Sequence, residues 1–249
     1  MAERIERKIS AGSYELNKFL FGGYETDIIT TIYGPGGSGK TNFCIILAVS
    51  QAKKGNKVIY IDTEGGFSVE RVRQIANSTP EETEKILQNI FLLKPTNFEE
   101  QEESFEILNK QLTKENVSLI IVDSIAMLYR LELGDAIQSK EDRQIQNINR
   151  KLANQLKDLN EIARKQNIPV IVTNQVYSEF LSEEDFKSGK ERSVAMVGGD
   201  LLRYWSKCIL ELKNQKSKRT LIIKKHRSLP EKELQFEITN SGIQKRSWI

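Results

Sequence analysis

The chain has 249 residues, 39% hydrophobic and 29% charged, with a formal net charge of +3; that suffices for one α/β domain with a substantial core and excludes a disordered chain. The charge is too mild to announce a nucleic-acid partner by itself. No apolar run approaches the ~20 residues that span a bilayer, the opening residues lack a signal-peptide core, and two distant cysteines, Cys44 and Cys208, with one histidine, His226, offer no metal spacing.

In chain order, the first apolar run, residues 28–33, reads as a strand. It leads directly into Gly34-Pro35-Gly36-Gly37-Ser38-Gly39-Lys40-Thr41, the pattern G-x-x-x-x-G-K-[ST]. A helical pattern at 41–53 follows. Strand, glycine loop and helix in that order define a phosphate cradle. The glycines let backbone N–H groups turn inward around a phosphate chain. The helix N-terminus adds partial positive charge. Lys40 can reach the β- and γ-phosphates, and the Thr41 hydroxyl can ligate Mg²⁺.

The strand at 58–62 delivers Ile61-Asp62-Thr63-Glu64-Gly65-Gly66. Ligands of open α/β sheets sit just beyond strand ends, so Glu64 is the candidate base for activating water. Helical patterns at 69–77, 80–88 and 98–115 flank a short strand at 90–93. The strand at 119–123 ends in Asp123, the form of the second nucleotide motif, whose acid supports the Mg²⁺ shell. The longest helical pattern is 141–166, where Ile145, Ile148, Leu152, Leu156, Leu159 and Ile162 recur at three- and four-residue spacing. The strand at 170–174 ends in Thr173-Asn174-Gln175, and the Gln175 amide can sense a γ-phosphate. Residues 178–197 are polar and charged and read as a long exposed loop. Short strands at 208–212, 219–224 and 234–238 suggest an antiparallel extension. The expected fold is α/β: one domain over residues 1–249, a mostly parallel twisted sheet flanked by helices, with C-terminal antiparallel strands.

These segments in this order resemble the RecA/RadA recombinase family, from about residue 9 to 243. Ile9-Ser10-Ala11-Gly12-Ser13 is similar to the opening of the family's ATPase core. Asp62-Thr63-Glu64-Gly65 with Glu70-Arg71, Val122-Asp123-Ser124 and Thr173-Asn174-Gln175-Val176 match further blocks. Gly198-Gly199-Asp200 resembles the end of its second DNA-binding loop, and Leu229-Pro230-Glu231 with Gly242-Ile243 its C-terminal block. Only about thirty residues precede the glycine loop, so the resemblance is to a short paralogue without the family's N-terminal helical domain; Asn42 after Thr41 fits that paralogue too. The resemblance implies ATP and Mg²⁺ as ligands, weak ATPase activity, DNA binding, single-stranded above all, and a role in repair and recombination beside a RadA-type recombinase, without strand exchange of its own. It implies that Arg71 lies against the adenine. It also implies a homo-oligomer through the ATP interface and a cytoplasmic, nucleoid-associated protein.

Two loops hold DNA in such recombinases. The first should lie near 134–143, with Lys140 and Arg143 as candidates. The second should fall within 178–197, where Glu179, Glu183, Glu184, Asp185 and Glu191 outnumber Lys187, Lys190 and Arg192; net negative charge repels phosphates. A stronger basic run is Lys213, Lys216, Lys218, Arg219, Lys224, Lys225 and Arg227, free of acids. On a hairpin it would make a phosphate-binding surface. Beside Leu229-Pro230, a region that in RecA-like assemblies reaches toward the neighbour's ATP, Lys225 or Arg227 would act in trans on the transferring phosphoryl group. The alternative is a RecA-fold regulatory ATPase similar to the KaiC group, which need not touch DNA; a third reading keeps ATP as a structural ligand only.

Overall fold

The computed structural model describes residues 8–178, 194–215 and 218–246. A small antiparallel ribbon, β1 (Lys8–Ile9) with β2 (Tyr24–Glu25), precedes the main sheet and brackets helix α1 (Tyr14–Phe19). Then come β3 (Ile29–Gly34), α2 (Lys40–Ala52), β4 (Lys57–Asp62), α3 (Val69–Ala76), α4 (Pro80–Leu87), β5 (Ile90–Leu93), α5 (Phe98–Lys114), β6 (Val117–Asp123), α6 (Met127–Gln138), α7 (Asp142–Gln166) and β7 (Val170–Ser178). β8 (Val194–Met196), a short helix Gly199–Trp205, β9 (Ser206–Gln215), β10 (Lys218–His226), β11 (Glu233–Thr239) and β12 (Gly242–Lys245) complete it.

The sheet order is β12-β11-β10-β9-β3-β7-β6-β4-β5, with β8 paired to β7. Successive residues of a strand face opposite sides. In β4, Val58 and Tyr60 join one apolar cluster and Ile59 and Ile61 the other; in β6, Leu119 and Ile121 oppose Ile120 and Val122 in the same way. Both faces are covered, which is why these runs lack polar alternation. Each such side chain contributes about 1.5–3 kcal/mol by leaving water. The first cluster draws on α1 to α4, the second on α5 to α7.

Helix starts follow local chemistry. Thr79 accepts the Glu82 N–H while Glu82 reaches back to the Thr79 N–H, with Pro80 beginning α4. α2 differs: its cap is Gly39, with no side-chain cap bond, so its first N–H groups remain available for a ligand.

The expected C-terminal antiparallel strands are present: β9, β10, β11 and β12 pair antiparallel in that order. β9 joins them to the parallel sheet by running parallel to β3, with Ile32 opposite Leu210. Within residues 134–143 the connection is short: Gly134 lies inside α6 and Arg143 inside α7, with Lys140 exposed between the two helices. The far end of the expected 178–197 loop is β8, and Met196 and Val197 are buried. Residues 179–193, with their excess of acids and with Lys187, Lys190 and Arg192, lie outside the described residues.

Candidate nucleotide-binding site

Strand register brings the site together. Gly34 at the end of β3 is opposite Gln175 of β7, and Asp62 at the end of β4 is opposite Asp123 of β6. Four motifs far apart in sequence thus reach one edge of the parallel sheet, the edge at which such folds bind ligands.

The Gly34–Thr41 loop has the geometry of a phosphate cradle. Gly37 and Gly39 have φ of 71° and 109°, the left-handed region glycine tolerates. A Cβ on Gly39 would lie 2.7 Å from Ile238 Cδ1, whereas Gly36 and Gly37 face open space. The Lys40 ammonium donates to the carbonyls of Gly34 at 3.0 Å and Pro35 at 3.2 Å. Burial pulls its pKa down, while the Glu64 and Asp123 carboxylates act in the opposite direction.

The acidic half is held by hydroxyls. Asp123, 1% exposed, accepts from Tyr60 Oη at 3.0 Å and from Thr173 Oγ1. Burial pushes its carboxyl up, and hydrogen bonds from Thr173, Thr41 and Tyr60 oppose that. Thr41 and Asp123 therefore adjoin, as a hydroxyl and carboxylate sharing a Mg²⁺ shell require. Asp62 accepts the N–H groups of Gly66 at 3.0 Å and Phe67 at 2.9 Å, closing the turn that presents Glu64. Gln175 Nε2 donates to Glu64 Oε2 at 3.0 Å. Burial raises the Glu64 pKa, and the Gln175 bond counters it. Tyr60, Asp62 and Thr173 were missed as site residues in the sequence, where they read as strand or turn positions. A tyrosine and a threonine beside fully apolar neighbours were the available signal.

A cavity of about 410 Å³ joins Gly36, Gly37, Lys40, Thr41, Glu64 and Gln175. Ser38 Oγ and Glu64 Oε1 are buried without hydrogen-bond partners. Open cradle, orphaned polar atoms and a hydroxyl–carboxylate pair fit a nucleotide triphosphate with Mg²⁺.

The other expected residues are placed by the strands and helices that carry them. The Arg71 guanidinium donates to Asn42 Oδ1 at 2.8 Å and to the carbonyls of Thr239 at 2.8 Å and Asn240 at 3.1 Å; it ties α3 to the β11–β12 turn beside the start of α2. The basic run is dispersed. Lys224 pairs with Glu231 at 2.5 Å, Lys225 donates to the Arg203 carbonyl at 2.6 Å, and Lys213 lies 3.8 Å from Glu211. Arg227 Nε is 2.8 Å from Glu25 Oε2 and Nη2 3.2 Å from Asp27 Oδ1. His226, its chain neighbour, pairs in register with Cys208, which is level with Thr30 of β3, so Arg227 lies toward the end of the sheet opposite the glycine loop. Several of these residues are thus already paired, and the strands divide the run: Arg219 is on one face, whereas Lys213, Lys218 and Lys225 share the other by register, with a bulge between Ile223 and Lys225. Lys216 lies outside the described residues. Lys218 is exposed, and Arg219 lines the nucleotide cavity.

Fold and site together define a P-loop nucleotide-binding protein of the RecA type. The Rad51 family model matches residues 4–246. A protein named DNA repair and recombination protein RadB from Methanococcus maripaludis strain C7 is 41% identical over 230 residues, covering 92% of this chain and 97% of the relative. Its namesake from Methanocaldococcus jannaschii is 42% identical over 231 residues, 92% and 98%, and that from Methanobrevibacter smithii 39% over 233 residues, 92% of each. The chain belongs to the RecA/Rad51 family, in its archaeal RadB group. Members of that family are ATPases. Among the described residues, no helix is long and apolar enough to cross a membrane.

Proposed function

We propose that this protein is a Mg²⁺-dependent ATPase of low turnover that binds single-stranded DNA and assists a RadA-type recombinase in repair, without strand exchange of its own. The observation that carries the nucleotide part is the convergence of the Gly34–Thr41 loop, Asp123, Glu64 and Gln175 on one rim of the sheet. Loop N–H groups and Lys40 hold the phosphates. Thr41 and Asp123 would hold Mg²⁺, which would neutralise charge on the transferring group. Glu64 takes a proton from water attacking the γ-phosphorus as the bond to the bridging oxygen breaks. Gln175, bonded to Glu64 and followed in β7 by the segment leading to residues 178–197, links the γ-phosphate to the DNA side.

The names of the relatives favour the recombination reading over a regulatory RecA-fold ATPase. Assembly through the nucleotide interface belongs to the same proposal. Lys225 or Arg227 is the group acting in trans; within its own subunit Lys225 donates to the Arg203 carbonyl and Arg227 pairs with Glu25, contacts that assembly would exchange. The test is ATP turnover with and without single-stranded DNA, at several protein concentrations. Turnover that Lys40→Ala abolishes and that DNA stimulates supports the reading. Calorimetry that detects no heat with MgATP for the intact protein would remove it.

A further inference from the structure

Arg219 is the second residue of β10. By strand alternation it shares a face with Leu221 and Ile223, both buried in the cluster that contains the core side chains of α2. It therefore stands on the glycine-loop side of the sheet, one step beyond the last core residue. Register carries it to the rim: Arg219 is opposite Asn214 and Leu221 opposite Leu212, and the Leu212 carbonyl lies against Gly34, where a Cβ would come within 2.4 Å of it.

The side chain lines the same cavity as Gly36, Gly37, Lys40 and Thr41. Its Nε is buried and has no hydrogen-bond partner. Its neighbours differ, since Lys224, Lys225 and Arg227 are each engaged by a carboxylate or a carbonyl. A buried guanidinium N–H left unpaired is unfavourable, and its fork of donors matches phosphate oxygens. Charge agrees in sign: a magnesium-bound triphosphate stays negative, and among the described residues Arg219 joins Lys40 in bringing positive charge to a cavity that also holds Glu64.

We propose that Arg219 is a phosphate ligand of the nucleotide held in its own subunit's glycine loop, not a contact to nucleic acid. This rests on the nucleotide-binding reading above. The test is titration of the full chain with MgATP, and separately with single-stranded DNA in the absence of nucleotide, for the native protein, Lys40→Ala, Arg219→Ala and Arg219→Lys. The expected result is at least tenfold weaker MgATP binding for Arg219→Ala, partial recovery in Arg219→Lys, and DNA binding changed less than twofold. If the native protein binds MgATP and Lys40→Ala does not, yet Arg219→Ala binds like the native protein, the proposal is overturned and nucleotide binding stands. Loss of DNA binding with MgATP affinity intact also overturns it. If the native protein fails to bind MgATP, the parent reading falls as well. Should Arg219→Ala fail to fold, Arg219→Gln carries the test with the same thresholds.

Discussion

The rim formed by the ends of β3, β4, β6 and β7 and the basic strands β9 and β10 both concentrate charged and polar residues in short stretches of sequence. The rim assembles residues from far along the chain. There, parallel register sets Gly34 beside Gln175 and Asp62 beside Asp123, so residues distant in sequence share one edge of the sheet. Along β10 the opposite happens: residues close in sequence are parted by the length of the strand, and Arg219 ends near the glycine loop while Arg227 ends beside Glu25 near the far end of the sheet. Parallel strands collect what sequence separates, and one long strand parts what sequence sets close together.

Variants at the rim and along the basic strands sharpen that comparison. The largest effect belongs to the rim. Glu64→Gln should reduce ATP turnover by about 10²–10⁴-fold with MgATP affinity changed little; steady-state kinetics and calorimetry on one preparation check both, and unchanged turnover would leave ATP a structural ligand. Next is the core that holds the strands in register: Leu156→Ala, fully buried on α7, should cost about 2–5 kcal/mol of unfolding free energy, measured by denaturant titration.

At the far end, Arg227→Ala removes a partner from Glu25, whose side chain is 1% exposed while that of Arg227 is 33% exposed. After allowance for that exposure, a loss of about 2 kcal/mol is expected, with Glu25→Gln in the same chain recovering part of it. A loss of turnover at full stability would instead restore Arg227 to the chemistry.

Gln175→Ala tests how the rim tunes its base. Burial raises the Glu64 pKa and the Gln175 bond opposes it, so removing the bond lets the pKa rise further. A base works ionised, so the acid limb of kcat/KM for ATP should move to higher pH in the variant, and activity should fall earlier on acidification. An acid limb that stays in place or moves lower contradicts the contact. The smallest effect is expected of Lys224→Ala, an exposed ion pair with Glu231: within about 0.5 kcal/mol of stability and, if the basic strands make no single DNA surface, little change in DNA affinity.

Much of the molecule was legible in the chain because its cues are local. The glycine loop specifies its own geometry, residues 141–166 carry a long 3.6-residue apolar period matched by α7 (Asp142–Gln166), and runs buried on both faces announce a parallel sheet. α6 (Met127–Gln138) was not legible. Its apolar residues are spread around the helix, with Leu131 and Ile137 exposed, and Gly134 interrupts it.

What the sequence determined by itself was the set of chemical parts: a phosphate cradle, a magnesium-side acid, a base and an amide at the ends of apolar strands. Tertiary structure alone decided the company they keep. It set three hydroxyls around Asp123, bonded Gln175 to Glu64, placed β9 parallel to β3, and sent Arg219 and Arg227 toward opposite ends of one strand. The physical reason is range. Backbone turns and helical periods are fixed by neighbours in the chain, whereas register and facing depend on which strands pair across long separations, and only the folded sheet settles that.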